Sequence, residues 1–194
     1  LMTATPAALG SALFSAAYKV HAPDFRVDEV LGIDAEGDGE HWLLHIEKSA
    51  TNTDEVASLL EKAFSVNSAD IGLSGMKDRH AVTTQWFTVR SPMPIECLEQ
   101  AMQAFNEQQV VAAADTADIA NVKQLRLLHS ARHSRKLRRG THSANAFVIL
   151  LRDVKALSPF DDDTLATQVE QRLAQLRQCG FPNYIGPQRF GRGG

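Results

Sequence analysis

The chain is best understood from two adjoining stretches, Gly75-Met76-Lys77-Asp78-Arg79-His80-Ala81-Val82-Thr83-Thr84 and Gln85-Trp86-Phe87-Thr88-Val89-Arg90. The second is rich in aromatic and β-branched residues, which predicts a strand. The first begins with glycine and carries four titratable side chains in a row, which predicts a loop. Asp78 is therefore expected at the mouth of a strand, where a rigid sheet can hold a loop side chain in a fixed direction.

Asp78 stands among three side chains that can be cationic, those of Lys77, Arg79 and His80. Nearby cations favour the ionised form of a carboxyl group, and they would also attract phosphate. One interpretation is a carboxylate that must stay ionised to act on an anionic substrate. The other is a turn in which Asp78 caps a backbone group and its basic neighbours are solvated. The local chemistry leaves both open.

The composition is that of a soluble globular protein. The 194 residues, 44% apolar and 22% charged, suffice for one well-packed domain, or for one domain and part of a second. The sequence has no run of eighteen apolar residues, so no membrane span is predicted. The apolar stretch at residues 7–14 lacks a basic leader and is not expected to be a signal peptide.

The cysteine and histidine patterns predict no metal site. Cys97 and Cys179 are far apart in the sequence and are expected to be reduced, buried thiols of a cytoplasmic protein. His129, His133 and His142 have no cysteine or carboxylate partners in the same stretch. No structural metal is therefore predicted.

Charge is segregated along the chain although the net charge is only -3. Acids predominate in residues 24–70, whereas residues 123–152 contain eight lysines and arginines and no acid. Such a run is usually a solvated surface, but its length here favours RNA binding. The predicted RNA contacts are Lys77, Arg79, His80, Arg132, Arg135, Lys136, Arg138, Arg139, Arg189 and Arg192.

Hydrophobic periodicity predicts an α+β layer fold in which strands and helices alternate. Strands are expected around residues 25–30, 42–46, 85–90 and 146–151, and helices at residues 52–64, 95–105 and 161–180. The apolar strand at 146–151 is expected to be central and covered on both faces. The alanine-rich residues 110–121 receive no assignment.

The stretch from Gly75 to Thr83 resembles the signature of the TruD family of tRNA pseudouridine synthases, which runs Gly, any residue, Lys-Asp, then a basic residue and His-Ala-Val-Thr. Further blocks in the same order also resemble that family. They are Pro23-Asp24-Phe25-Arg26-Val27-Asp28-Glu29, His133-Ser134-Arg135-Lys136-Leu137-Arg138-Arg139-Gly140 with Asn145-Ala146-Phe147, and Pro182-Asn183-Tyr184 with Gly186-Pro187-Gln188-Arg189-Phe190-Gly191.

The resemblance implies the pseudouridine synthase fold, a mixed and mostly antiparallel sheet flanked by helices, here truncated. Residues 1–179 would be the N-terminal part of the catalytic domain. Residues 180–194 would begin the family-specific insertion domain. The rest of that insertion domain and the C-terminal part of the catalytic domain would be absent. The implied activity is the isomerisation of uridine 13 in the D arm of tRNA, a reaction that needs neither a metal nor a redox cofactor.

The resemblance also implies roles for particular residues. Asp78 would be the essential catalytic carboxylate, and Lys19 would pair with it; the alternative for Lys19 is a solvated surface side chain. Phe25 and Phe147 would line the pocket of the flipped base. The alternative for both is an aromatic side chain in the core, which periodicity alone favours for Phe147. Asn145 would hydrogen-bond the uracil edge or the Asp78 loop; the alternative for Asn145 is a turn residue after Gly140.

Two other functions remain open on the sequence. A non-catalytic RNA-binding or RNA-chaperone module would keep the basic surface without turnover. A hydrolase of small nucleosides is disfavoured, because a small substrate would not need so long a basic stretch.

Overall fold

The computed structural model describes residues 9–116, 122–157 and 161–181. Internal contacts divide the chain into two units, Tyr18–Leu151 and the pair of segments Leu1–Ala17 and Arg152–Gly194. In chain order the elements are β1 Phe14–Ala17, β2 Phe25–Val30, β3 His41–Ser49, α1 Thr53–Phe64, β4 Ile71–Leu73, β5 Val82–Arg90, α2 Glu96–Thr116, β6 Gln124–His133, β7 Ala144–Ile149, β8 Arg152–Ala156 and α3 Asp162–Cys179.

The larger unit is built on a sheet with the strand order β6-β3-β5-β2-β7, and β4 pairs with one end of β5. Strands β2 and β5 run parallel, whereas the other neighbours are antiparallel. The predicted mixed, mostly antiparallel α+β fold is confirmed. The register pairs Ser49 with Val82 and with Gln124, so the chain leaves the Asp78 loop and enters β5 at this end of the sheet.

One face of the sheet carries the main hydrophobic core. Leu44, Ile46 and Phe87 point from β3 and β5 towards Val56 and Leu60 of α1, and all five are fully buried. The predicted start of α1 is confirmed by a reciprocal capping box. The Asn52 side chain accepts from the Glu55 main-chain N–H at 2.9 Å, and the Glu55 carboxylate accepts from that of Asn52 at 3.0 Å.

Helix α2 is longer than its pattern predicts. It continues eleven residues past the expected end at Phe105, to Thr116. Alanine has the highest helix propensity, so the alanine-rich stretch prolongs the helix although it offers no apolar stripe. Val110 and Val111 are accordingly exposed. Residues 117–121 of the unassigned stretch lie outside the described residues.

The prediction of a central, doubly covered strand at residues 146–151 is wrong. Strand β7 lies at the end of the strand order, and in the described part of the chain it pairs only with β2. Phe147 is 57% exposed and Val148, on the opposite face, is 64% exposed. An apolar run shows that a strand can pack on both faces, but it contains no information about position in the sheet.

The smaller unit contains an antiparallel pair, β1 with β8, and helix α3. The predicted helix is confirmed: the Asp161 side chain accepts from the Thr164 main-chain N–H at 2.8 Å and caps its first turn. The expectation of buried thiols is wrong for Cys179, which is exposed at the end of α3, and Cys97 is only partly buried. None of the helices among the described residues is long and apolar enough to cross a membrane.

Candidate active site

The loop that carries Asp78 rests on buried polar side chains of α1 and β5. The Lys77 main-chain N–H donates to Thr53 Oγ1 at 3.1 Å, and the Gln85 side-chain amide donates to the Gly75 carbonyl at 2.5 Å. Thr53 Oγ1 in turn donates to Gln85 Oε1 at 3.0 Å. Thr53 and Gln85 are fully buried. These bonds fix the path of residues 75–77 over the start of β5.

A buried lysine holds the next part of the loop. Lys48 Nζ donates to the main-chain carbonyls of Asp78 at 2.8 Å and Thr51 at 2.6 Å, and it lies 3.5 Å from that of Lys77. Lys48 is 1% exposed. Burial lowers its pKa to about 8, although the charges of Asp78 and Glu55 act in the opposite direction.

The sequence reasoning missed Lys48. A signal for it was available, because Leu44, Ile46 and Lys48 alternate along one face of β3. A lysine on the buried face of a strand requires polar partners inside the protein. The sequence cannot show that those partners are the carbonyls of the Asp78 loop, thirty residues further along.

The Asp78 carboxylate is held by two donors. Lys19 Nζ forms an ion pair with Oδ2, and the His80 main-chain N–H donates to Oδ1 at 3.0 Å. Partial burial raises the pKa of Asp78, but the Lys19 and His80 contacts outweigh it and keep the pKa below its usual value. Asp78 is therefore ionised at neutral pH. The expected pairing of Lys19 with Asp78 is present in the structure.

Lys19 also contacts the aromatic residues beside the carboxylate. Its Nζ lies 4.1 Å from the centroid of the Phe25 ring, within the range of a cation–π interaction. The backbone of Lys19 is in the left-handed region at φ 56°, which is uncommon for a residue with a side chain. Lys19 thus joins the candidate carboxylate to the candidate base platform.

Phe25 and Phe147 form an open aromatic surface next to Lys19. Their ring centroids are 6.1 Å apart with planes at 67°, an edge-to-face arrangement. Phe147 is opposite Val27 in the β2–β7 register, so it shares a face of the sheet with Phe25. Because Phe147 is more than half exposed, a planar group can approach it.

The Lys77 side chain connects the Asp78 loop to strands β2 and β7. Its Nζ lies 2.5 Å from Glu29 Oε2 and donates to Asn145 Oδ1 at 2.7 Å. The Lys77 side chain is 6% exposed and that of Glu29 is fully buried. This placement contradicts the expectation that Lys77 contacts RNA, because its charge is used inside the protein. Asn145 contacts the Asp78 loop, one of its two expected partners.

Arg132 lies at the other end of the sheet from Asp78. Its guanidinium is 3.8 Å from the Trp42 ring centroid and donates to the Ser91 carbonyl at 2.8 Å. Trp42 and Ser49 are seven residues apart on β3, about 23 Å at the rise of a strand. The guanidinium of Arg132, which is predicted to contact RNA, therefore packs on Trp42 at a distance from the candidate carboxylate.

The rest of the basic segment returns towards the site. Leu137 is buried, with its main-chain N–H donating to Thr88 Oγ1 at 2.9 Å, and the Lys136 ammonium donates to the Ala69 carbonyl. The Gly140 N–H donates to the Ser74 carbonyl at 2.7 Å, one residue before the Asp78 loop. The exposed basic side chains are Arg135, Lys136, Arg138 and Arg139. Arg189 and Arg192 lie outside the described residues.

Comparison with known proteins identifies the family. Residues 14–193 match the family model described as tRNA pseudouridine synthase D (TruD). The chain belongs to the TruD family. The resemblance to this family that the sequence motifs indicate is thereby confirmed, and the match covers nearly the whole chain.

Curated TruD relatives are about twice as long as this chain. The tRNA pseudouridine synthase D of Psychrobacter arcticus is 40% identical over 193 residues, which cover 94% of this chain and 45% of that protein. The corresponding protein of Methylococcus capsulatus is 38% identical, over 97% of this chain and 46% of its own length. The chain thus spans about half the length of the curated relatives it matches.

A solved structure shares the fold. A crystal structure described as the "putative tRNA pseudouridine synthase D (TruD)" from Methanosarcina mazei superposes with a TM-score of 0.66 at 22% identity. The match covers 93% of this chain and 36% of the other. The TruD fold is therefore present in this chain.

Proposed function

We propose that the protein carrying this chain is a tRNA pseudouridine synthase that isomerises uridine 13 of tRNA. The observation that carries the proposal is the Lys19–Asp78 ion pair beside the exposed Phe25–Phe147 pair. It places an ionised carboxylate next to a surface suited to a flipped base. Membership of the TruD family supports tRNA as the substrate, and the choice of uridine 13 rests on the motif resemblance.

The reaction needs an ionised carboxylate. Isomerisation breaks the bond between ribose C1′ and uracil N1, turns the base, and joins C1′ to C5. The C5 proton is then lost to a base and N1 gains a proton, so atoms and electrons balance without an oxidant or a reductant. Asp78, which Lys19 keeps ionised, supplies the carboxylate for attack on the ribose or the base, or for the proton transfer.

The aromatic surface holds the detached base while it turns. A base stacked on an exposed aromatic ring gains about 1–3 kcal/mol, which compensates part of the cost of unstacking it from RNA. Phe147 is exposed enough to stack, and Phe25 supports it from the side that Lys19 covers. Asn145, held at its carbonyl by Lys77, presents its amide group beside this surface.

The tRNA backbone contacts the basic side chains that solvent reaches. Arg79 and His80 adjoin Asp78, and Arg135, Arg138 and Arg139 extend the basic surface. Binding of this kind reads the shape and the phosphates of RNA. The isomerisation uses neither a metal nor a cofactor, and a tRNA substrate implies that the protein works in the cytoplasm.

The test is release of tritium from tRNA labelled with [5-³H]uridine by the full-length protein. We expect release by wild type and by Asp38→Asn, which removes an exposed carboxylate in the β2–β3 loop, and none by Asp78→Asn. Binding of tRNA by Asp78→Asn should be retained because the substitution keeps the shape of the side chain. Binding by wild type without release would favour the RNA-binding module instead, and release by Asp78→Asn would refute the role of Asp78.

A further inference from the structure

A cavity of about 370 Å³ adjoins the candidate carboxylate. Four basic side chains line it, those of Lys19, Arg79, His80 and Lys123, together with apolar residues that include Ala22 and Ala50. All of these residues belong to the larger unit. The cavity is separate from the aromatic surface formed by Phe25 and Phe147, since neither ring lines it.

The strand order places the cavity and the aromatic surface on two sides of Asp78. Ala50 directly follows β3 and Lys123 directly precedes β6, whereas Phe147 lies on β7 at the other edge of the sheet. Lys19 reaches both regions, because it lines the cavity, pairs with Asp78 and contacts the Phe25 ring. A ligand that spans the site would thus pass Lys19 and Asp78 at its middle.

The charges around the cavity leave room for an anion. Lys19 pairs with Asp78 and Lys123 pairs with Glu55. Arg79 is exposed and forms no ion pair with any residue in 9–116, 122–157 or 161–181. Burial raises the pKa of Glu55, but contacts with Lys123 and the Asn52 N–H, together with the charge of Arg79, lower it overall. Around the cavity, the carboxylates of Asp78 and Glu55 neutralise Lys19 and Lys123, and the charge of Arg79 remains. His80 also lines the cavity.

We infer that this cavity binds one of the two phosphates that flank the target uridine. The inference rests on the proposed function and adds a subsite to it. With the ribose at Asp78, the base extends towards Phe147 and the phosphate, on the other side of the sugar, enters the cavity. The planar guanidinium of Arg79 matches two phosphate oxygens, while Lys123 and His80 supply further donors.

The test pairs a change in the RNA with a change in the protein. tRNA substrates carry a single uncharged methylphosphonate on the 5′ or the 3′ side of uridine 13, and they are compared with native tRNA. The full-length protein is used as wild type, as Arg79→Gln, and as Lys62→Gln. The last removes an exposed cation nine residues into α1, about 14 Å along the helix from Thr53. Both kcat/KM for tritium release and the Kd for tRNA are measured.

If Arg79 contacts the phosphate directly, the loss of kcat/KM caused by the methylphosphonate and the loss caused by Arg79→Gln should not multiply when the two changes are combined. At one of the two positions the methylphosphonate should lower kcat/KM roughly ten- to a hundred-fold for wild type, the usual range for a hydrogen bond between charged groups. Arg79→Gln should show a similar loss with native tRNA and little further loss with that methylphosphonate. Arg79→Lys should recover part of the loss, and Lys62→Gln should behave as wild type.

Two results would overturn the subsite. If neither methylphosphonate slows wild type or weakens its binding, the protein does not contact these phosphates. If the losses from Arg79→Gln and from the methylphosphonate multiply, Arg79 acts elsewhere. Failure of the proposed function is a distinct result: wild type would not release tritium from native tRNA, and the binding data alone would then decide whether the cavity takes a phosphate.

Discussion

Lys48 Nζ lies 2.8 Å from the main-chain carbonyl oxygen of Asp78, so a cation that solvent does not reach holds the backbone of the candidate catalytic residue. The carboxylate of the same residue is held by Lys19. Two lysines therefore position Asp78, one through its main chain and one through its side chain. Their removal should have different consequences.

Lys48→Met should lower turnover more than substrate binding. The substitution leaves the main-chain carbonyls of Thr51 and Asp78 without the Lys48 donor, and the loop will shift to satisfy them. We expect kcat to fall at least about ten-fold, because small misplacements of a reacting group are costly, while KM changes little. Steady-state kinetics on tRNA, with the exposed Lys62→Met as control, provide the measurement. An unchanged kcat would show that Lys48 does not position Asp78.

Lys48 should also make stability depend on pH. Its pKa is about 8 in the folded protein and near the ordinary value of 10.5 in the unfolded chain. Between these values the unfolded state binds more protons, so the free energy of unfolding should rise with pH, by about 3 kcal/mol in total from this residue. Urea unfolding near the two ends of that range should show the rise in wild type but not in Lys48→Met. Equal slopes for the two proteins would contradict a buried, charged Lys48.

Lys19→Met should shift the acid limb of the pH–activity profile upwards. Burial raises the pKa of Asp78, and Lys19 is the principal contact that lowers it below its usual value. Without Lys19 the carboxyl group should protonate at higher pH, and kcat/KM should begin to fall at a correspondingly higher pH. Profiles of kcat/KM against pH for wild type and the variant test this. An unshifted acid limb would mean that the limb reports another group.

Phe147→Ala should impair activity without impairing stability. The ring is mostly exposed, so its removal should change the free energy of unfolding by no more than about 0.5 kcal/mol. Loss of a stacked base should lower kcat/KM about ten-fold or more. Val148→Ala is a matched control, since Val148 is the neighbouring exposed apolar residue on the other face of β7. If the two variants are equally active, Phe147 is not a base platform.

Arg132→Gln and Arg138→Gln should separate structural from RNA-binding arginines. Arg132 packs on Trp42 and bonds the Ser91 carbonyl, so its loss should destabilise the fold by about 1–2 kcal/mol with little effect on tRNA binding. Arg138 is exposed, so its loss should weaken tRNA binding. The slope of log K against log salt concentration should fall by about one, the contribution of a single phosphate contact. Thermal unfolding and binding titrations over a range of salt measure both. The reverse pattern would refute the assignment.

Local signals made part of the fold predictable. The start of α1 is marked by a capping box that lies in a segment of only four residues, from Asn52 to Glu55. The loop before β5 is marked by a glycine followed by charged residues. The candidate carboxylate at Asp78 could be found for the same reason: its basic neighbours are adjacent in sequence.

Other features depend on strand register and could not be predicted. Arg132 and Arg138 belong to one basic run, yet the register of β6 against β3 places Arg132 on Trp42, whereas Arg138 lies beyond the end of β6 and is exposed. The position of β7 in the sheet is equally invisible in its apolar sequence. Lys48 meets the Asp78 loop only because β3 and β5 are neighbours.

The anchoring of the Asp78 loop on Lys48, Thr53 and Gln85 has a thermodynamic consequence for binding. Fixing a flexible residue costs about 1–2 kcal/mol of conformational entropy. Since the buried donors and acceptors order this loop in the protein alone, that cost is met when the chain folds. A substrate reaching the site meets a carboxylate already in place, so none of its binding free energy is consumed in ordering the loop.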